Sequence, residues 1–211
     1  IVDTCRDKRK TYKFLKKNGF GTPDTFTLSQ ARAMKRLKTP LFLKPWDGSA
    51  SRSNACARDR DELKTLSKTI PNCIVQEFIS GQEYTCDVYV DFSGKVRCVV
   101  PRRRLEIRSG EVSKSQTVKM PKMMEACRRL VEHLGAGPGV VTLQCFLTDR
   151  NDIRFIEINP RFGGGVPLSI QAGADFPRWI LSEWMSKKPR ITFDGWRDSL
   201  YMLRYDEAVW V

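Results

Sequence analysis

Histidine is almost missing from this 211-residue chain, with His133 the single example. That scarcity excludes a multi-histidine metal centre, and any histidine-dependent catalytic triad would have to use that one residue. No run approaches the roughly 20 apolar residues that a membrane-spanning helix needs. The opening residues IVDTCRDKRK lack the apolar segment of a secretory signal. The seven cysteines are odd in number and never closer than twelve positions to one another, so no zinc-ligand spacing exists. Disulfide staples are not expected in a chain of this size, and a reducing, cytoplasmic setting is. Acid is also short: 24 Asp and Glu against 37 Lys and Arg give a formal charge of +13, which favours anionic partners such as nucleotides, acidic metabolites or nucleic acid. The chain begins with Ile, which reads as a fragment or processed chain preceded by a further domain.

What is present, 41% apolar and 29% charged residues, reads as a globular α+β chain. Asp7 to Asn18 has a helical pattern stopped by Asn18-Gly19, and Leu28 to Leu37 suggests a second short helix. The proline-fenced run Pro40-LFLK-Pro45 reads as a strand leading into the small-residue loop Trp46 to Asn54. Asp59 to Thr69 is helical in pattern. Strands follow at Cys73–Ile79, Glu83–Asp91, Lys95–Ile107 and Val112–Val118, with Phe92-Ser93-Gly94 as one turn. Met123 to Leu134 returns to helix before Gly135. Val140–Leu147 and Ile153–Ile158 form the arms of a last hairpin, ahead of Gly163-Gly164-Gly165. A final helical stretch places Trp179 and Trp184 in the core, and residues 199–211 receive no role.

The sharpest geometry lies in RFIEINPRF. Glu157 and Asn159 are two apart, so a strand projects both from one face, while Ile156 and Ile158 face a core. A turn centred on Arg150-Asn151 makes opposed residue numbers add to 301 and sets Gln144 opposite Glu157. Opposed Cβ atoms are about 4.5–5.5 Å apart, so one carboxylate and two amide oxygens can close on a hard cation such as Mg²⁺. Arg161 adds an anion clamp. The competing reading is a Glu157–Arg161 pair with Asn159 capping a turn, and the spacing leaves both open. Lys8 and Lys44 could each meet a polyphosphate or stand as ordinary surface lysines. The run Gln76 to Glu83 could offer an adenine slot and a ribose acceptor, or be a plain strand–turn–strand. The loop Asp47-GSASRS-Asn54 could cover phosphates with backbone N–H groups, or serve as a linker.

Taken in order, DKRKTYKFLKKNGFGTPDT, LFLKPWDGSASRSN, QEFISGQEYTCDVYVD and QCFLTDRNDIRFIEINPRFGGG resemble the ATP-grasp superfamily, in its carbamoyl-phosphate synthetase large-chain-like and carboxylate–amine ligase branch. The resemblance implies two α+β lobes with antiparallel sheets gripping ATP between them. Residues 1–20 would be a leading helix packed on the larger lobe, 21–79 a small lid lobe, and 80–211 the large lobe with the metal site. The family's usual N-terminal domain would be absent. The resemblance also implies that Lys8, Lys44 and Ser49 contact ATP phosphates and that Gln76, Glu77, Phe78 and Ile79 line the adenine. Glu83 would hold the ribose, while Gln144, Glu157 and Asn159 bind Mg²⁺, with Mn²⁺ as substitute. Arg161 and Lys44 would act on the transferred phosphoryl group, and Arg102, Arg104 and Lys114 would receive the acceptor carboxylate. Ser49, Ser51 and Ser53 stand where the family favours glycine.

The implied activity is ATP-dependent activation of a carboxylate or bicarbonate as an acyl phosphate, followed by attack of an amine. The partners are then small molecules, with no membrane or nucleic acid, in a chain free to form a homodimer. Two alternatives stay open. One is a non-catalytic, regulatory ATP-binding module. The other is a basic nucleic-acid-binding module using Arg102-Arg103-Arg104 to track phosphates.

Overall fold

The computed structural model describes residues 1–36, 38–47, 53–108, 110–207 and 210, grouped into two compact units. The first comprises Ile1–Gln82 and Gln144–Ile158, the second Glu83–Leu143 and Asn159–Val211. The sequence reading draws boundaries after residues 20 and 79. Compact packing instead divides after Gln82 and takes 144–158 with the N-terminal residues. Among the described residues no helix is long and apolar enough to cross a membrane, and all seven cysteines are free thiols.

In the first unit, α1 (Val2–Arg6) precedes α2 (Lys8–Lys17). Helix α2 starts where Asp7 accepts the Arg9 amide hydrogen bond at 2.9 Å. It buries Thr11 and Leu15, four apart on one face, and stops at Asn18 and the left-handed Gly19. Strand β1 (Thr25–Thr27) leads into α3 (Leu28–Ala33) through a capping box between Thr27 and Gln30. The helix ends at Ala33, short of the expected Leu37, because Met34 turns extended. The carbonyls of Met34 and Lys35 are taken instead by the Arg60 guanidinium. Strands β2 (Leu41–Pro45) and β3 (Ala55–Ala57), helix α4 (Arg60–Leu66) and strand β4 (Cys73–Glu77) complete an antiparallel sheet in the order β1-β4-β2-β3. Its core joins Ala31, Leu41, Leu43, Leu63, Ile70 and Val75.

Asp7 also ion-pairs with Arg9 Nη2 at 2.7 Å, and hydrogen bonding from Arg9 holds its carboxyl below the usual aspartate range. A carboxyl with a lowered folded-state pKa stabilises above its unfolded pKa and loses that contribution as pH falls through the folded value. Asp7→Ala should therefore lower stability by about 1 kcal/mol at neutral pH. Urea titrations at neutral and at strongly acid pH should show the gap from wild type closing on acidification.

The second unit is built on β5 (Gln82–Val90), β6 (Val96–Arg108) and β7 (Glu111–Thr117), joined as antiparallel neighbours. The β5–β6 turn falls at Phe92-Ser93-Gly94 as expected, with Asp91 Oδ1 accepting from the Ser93 and Lys95 amides at 2.9 Å each. Helix α5 (Pro121–Leu134) buries Met123, Met124, Cys127, Leu130, Val131 and Leu134 and ends on left-handed Gly135. Strands β8 (Gly139–Leu147) and β9 (Ile153–Asn159) each carry residues of both units. Helices α6 (Val166–Gln171) and α7 (Phe176–Trp184) follow. The C-terminal residues supply β10 (Tyr201–Leu203), an edge strand on β7. Strand order is β10-β7-β6-β5-β8-β9.

Trp179 packs against Tyr89 and Phe176, with ring centroids 5.4 and 5.5 Å away. Trp184, expected beside it in the core, is 77% exposed. Five residues turn a helix through about 500°, which leaves the two indoles some 140° apart.

Candidate active site

Within the first unit the fold gathers residues that are far apart in sequence. Lys8 occupies the first turn of α2, where a cation opposes the helix dipole. Its backbone amide donates to the Trp46 carbonyl at 3.0 Å. Arg9 lies 3.9 Å over the Trp46 ring, so the start of α2 and the end of β2 are clipped together. Burial lowers the Lys8 amine's pKa, and the charges of Glu157, Asp47 and Asp7 oppose that shift. Glu157 is the largest of the three opposing influences, so a predicted phosphate-binding cation and a predicted metal-binding carboxylate are electrostatic neighbours. Lys44 is buried in β2 at 6% exposure, paired in register with Ile74.

Gln76 is buried, its amide donating to Thr25 Oγ1 at 2.7 Å. The β2–β4 ladder ends at Leu41↔Glu77, so Phe78 and Ile79 lie past the last paired residue and their main-chain groups stand outside the ladder. Phe78 is 43% exposed. The following turn rests on the end of β8. A Cβ on Gly81 would come within 2.3 Å of the Leu147 carbonyl oxygen, a closeness that only glycine permits. Ser49 lies outside the described residues.

The hairpin closes differently from the expected turn. Thr148 N donates to Asp152 O at 3.0 Å, Asn151 N donates to Thr148 O at 2.8 Å, and Asn151 is left-handed with φ 63°. Asn151 is therefore a bulge residue, and the closing pair adds to 300, not 301. Phe155 and Ile158 are each 1% exposed, with half-buried Ile156 and Glu157 between them. Buried residues three apart break the assumed alternation, so Ile156 does not share the deep burial of Ile158. Gln144 and Glu157 remain half-buried on adjacent strands, and Cys145 is buried.

In the second unit, Glu83, Thr85 and Asp87 alternate along β5, facing Arg102 and Arg104 on β6. Arg104 Nε lies 3.3 Å from Glu83 Oε2, and its Nη1 donates to Thr85 Oγ1 at 3.2 Å. Arg102 donates to Asp87 through Nε at 2.8 Å and Nη2 at 3.2 Å. With Arg102 at 1% exposure and Asp87 at 0%, this pair is wholly interior. The arginine triplet is thus no three-residue phosphate track, since only Arg103 of the three is exposed. Lys114 is half-exposed and pairs with Glu106 at 2.6 Å. Arg161 is exposed, its Nη1 donating to the Phe162 carbonyl at 2.9 Å.

Asp87, Thr142 and Ser169 were missed in the sequence. The one available signal was the matched alternation of Glu83-x-Thr85-x-Asp87 and Arg102-x-Arg104. Among the described residues no group of three or more His, Cys, Asp or Glu is placed to hold a metal. The expected donors Gln144, Glu157 and Asn159 are each half-buried. One carboxylate and two amide oxygens suit Mg²⁺, which keeps waters and phosphate oxygens as its other ligands.

A sequence model of the ATP-grasp domain matches residues 5–165. D-alanine--D-alanine ligase of Bacillus anthracis is 29% identical over 94 residues, covering 40% of this chain and 31% of that enzyme. Carboxyaminoimidazole ribonucleotide synthase of Aspergillus clavatus, solved with ATP, superposes with a TM-score of 0.80 at 17% identity over 96% of this chain and 57% of that one. The biotin carboxylase domain dimer of Hydrogenobacter thermophilus 2-oxoglutarate carboxylase, solved with MgADP, ADP and bicarbonate, gives 0.79 at 18% identity over 95% and 49%. The chain thus spans about a third of the ligase and about half of the two solved chains. At these identities the structural likenesses show the fold.

Proposed function

The chain belongs to the ATP-grasp family, and from that premise we propose that it is the core of an ATP- and Mg²⁺-dependent ligase. It would activate a carboxylate or bicarbonate as an acyl phosphate for attack by an amine. The observation that carries the reading is that the charge of Glu157, the one carboxylate of the proposed metal-donor set, acts on Lys8, a cation suited to phosphate. Main-chain groups of Phe78 and Ile79, outside the β ladder, would read the adenine. Lys8 and Lys44 would neutralise phosphate oxygens, and Glu83 would receive the ribose. Gln144, Glu157 and Asn159 would hold Mg²⁺, which supplies charge neutralisation on the phosphates when bound. Arg161 would offset the charge that builds on the transferred group, a step in which positioning and electrostatics do most of the catalysis. The attacking carboxylate is already ionised at neutral pH, so no general base is needed. Arg104 and Lys114 would receive the acceptor. Assembly as a homodimer belongs to the same proposal, supported by likeness to a domain described as a dimer.

Mg·ATP at about 100 times its dissociation constant should add about 2.7 kcal/mol of stability, read as a rise in thermal midpoint. Lys44→Met keeps the buried stem and removes the charge. It should weaken Mg·ATP binding about tenfold, equivalent to about 1.4 kcal/mol, by calorimetric titration. Stabilisation by Mg·ATP without ADP formation under any carboxylate would mark a non-catalytic nucleotide-binding module instead.

A further inference from the structure

Four polar side chains far apart in sequence meet in the interior of the second unit. Asp87 from β5 accepts from Arg102 Nε at 2.8 Å and Nη2 at 3.2 Å, and from Ser169 Oγ at 2.6 Å. Thr142 Oγ1 on β8 lies 3.2 Å from Asp87 Oδ1 and 2.9 Å from the carbonyl oxygen of Arg161. A hydroxyl has one proton to donate, and the shorter contact is to that carbonyl. All four residues are buried. Burying such a pair is expensive unless its geometry and remaining hydrogen bonds are good, and here the added hydroxyls tie it to a particular stretch of main chain.

That stretch is residues 161–165, directly after β9. A Cβ on Gly165 would lie 2.2 Å from Arg102 Nη1, and one on Gly163 would lie 3.0 Å from Thr142 Cγ2. The glycines therefore let the backbone rest on the buried guanidinium and hydroxyl. Ser169 ties the next helix, α6, to the same carboxylate. Arg102 Nη1 has no hydrogen-bond partner among the described residues, so its contact with the glycine segment is one of shape.

We infer that Asp87, Arg102, Thr142 and Ser169 form a positioning unit that fixes the main chain of Arg161 through Thr142, and so aims the exposed Arg161 guanidinium at the transferred phosphoryl group. Arg102 then serves as the platform under the glycine segment, and not as a ligand of the acceptor carboxylate. The inference rests on the role proposed above for Arg161.

The test compares wild type, Thr142→Val, Thr142→Ser, Gly165→Ala and Glu157→Ala in the 211-residue chain. Its readouts are amide hydrogen exchange, Mg·ATP affinity and ADP formation. Thr142→Val should speed exchange in residues 159–166 about tenfold or more and lower kcat by at least about tenfold, the scale of a misplaced catalytic group. Mg·ATP affinity should stay within about twofold, and Thr142→Ser should restore both properties. A purely structural role would not split kcat from affinity in this way. Should Thr142→Val fail to fold, Gly165→Ala displaces the same segment from the opposite side and should give the same split. If Thr142→Val and Gly165→Ala exchange and turn over like wild type while Glu157→Ala is inactive, the positioning role is overturned and the ligase reading stands. If wild type shows neither Mg·ATP binding nor ADP formation, the ligase reading falls and the aiming of Arg161 falls with it.

Discussion

Glu157→Ala is expected to lower Mg²⁺-dependent ADP formation by on the order of 10²–10³ or more, the scale of losing a pre-organised charge-stabilising group, with the chain still folded. Glu157 is the only carboxylate in the donor set, and amide oxygens alone hold Mg²⁺ poorly at physiological concentrations. The substitution acts on Lys8 as well. Burial lowers that lysine's pKa and Glu157 is the largest influence opposing it, so its removal lets the amine lose its proton at a lower pH. Phosphate affinity in the variant should consequently fall off earlier on the alkaline side than in wild type. Glu157→Gln keeps the shape and loses the charge, so it should reproduce both effects if the charge, and not packing, is what Glu157 supplies. A coupled ADP assay with thermal unfolding as the folding control reads the result, and full activity in Glu157→Ala would remove the metal assignment.

The largest effect on stability is expected at Asp87. Asp87→Ala would leave Arg102 buried with no opposing charge and the Ser169 hydroxyl without its acceptor, a loss of about 3–5 kcal/mol. Replacing both partners, Asp87→Leu with Arg102→Met, should recover much of that loss, because two apolar groups of similar volume need neither solvation nor pairing. Urea unfolding of the two single variants and the double provides the cycle. A double variant as unstable as the sum of the singles would mean that the pair is not the principal contact of either residue.

The parts of the fold with a local cause were legible in the sequence. Asp7 and Asn18 mark the ends of α2, Gly135 stops α5, and Pro40 and Pro45 bracket β2, each through the backbone chemistry of that residue. Strands β1 and β3, three residues each, are too short to show a period and exist only because β4 and β2 offer them partners. Of the candidate site, Lys8 and Glu157 were named, and the charge of Glu157 acts on Lys8, but the closing of the hairpin turn was misread. A left-handed Asn151 adds a residue to the turn that loop length cannot reveal. Arg102 shows the same limit in another form. Nothing next to it in the chain marks it as interior, because its partner Asp87 lies on another strand. Long-range pairing decided its role.

The most direct measurement is a crystal structure of the chain with ADP and Mn²⁺, the metal located by its anomalous scattering. The predicted result is a Mn²⁺ ion about 2.0–2.4 Å from the Glu157 carboxylate and the amide oxygens of Gln144 and Asn159, with the ADP phosphates beside Lys8 and Lys44. A metal held elsewhere, with Glu157 facing only Lys8 and no phosphate near either lysine, would contradict it.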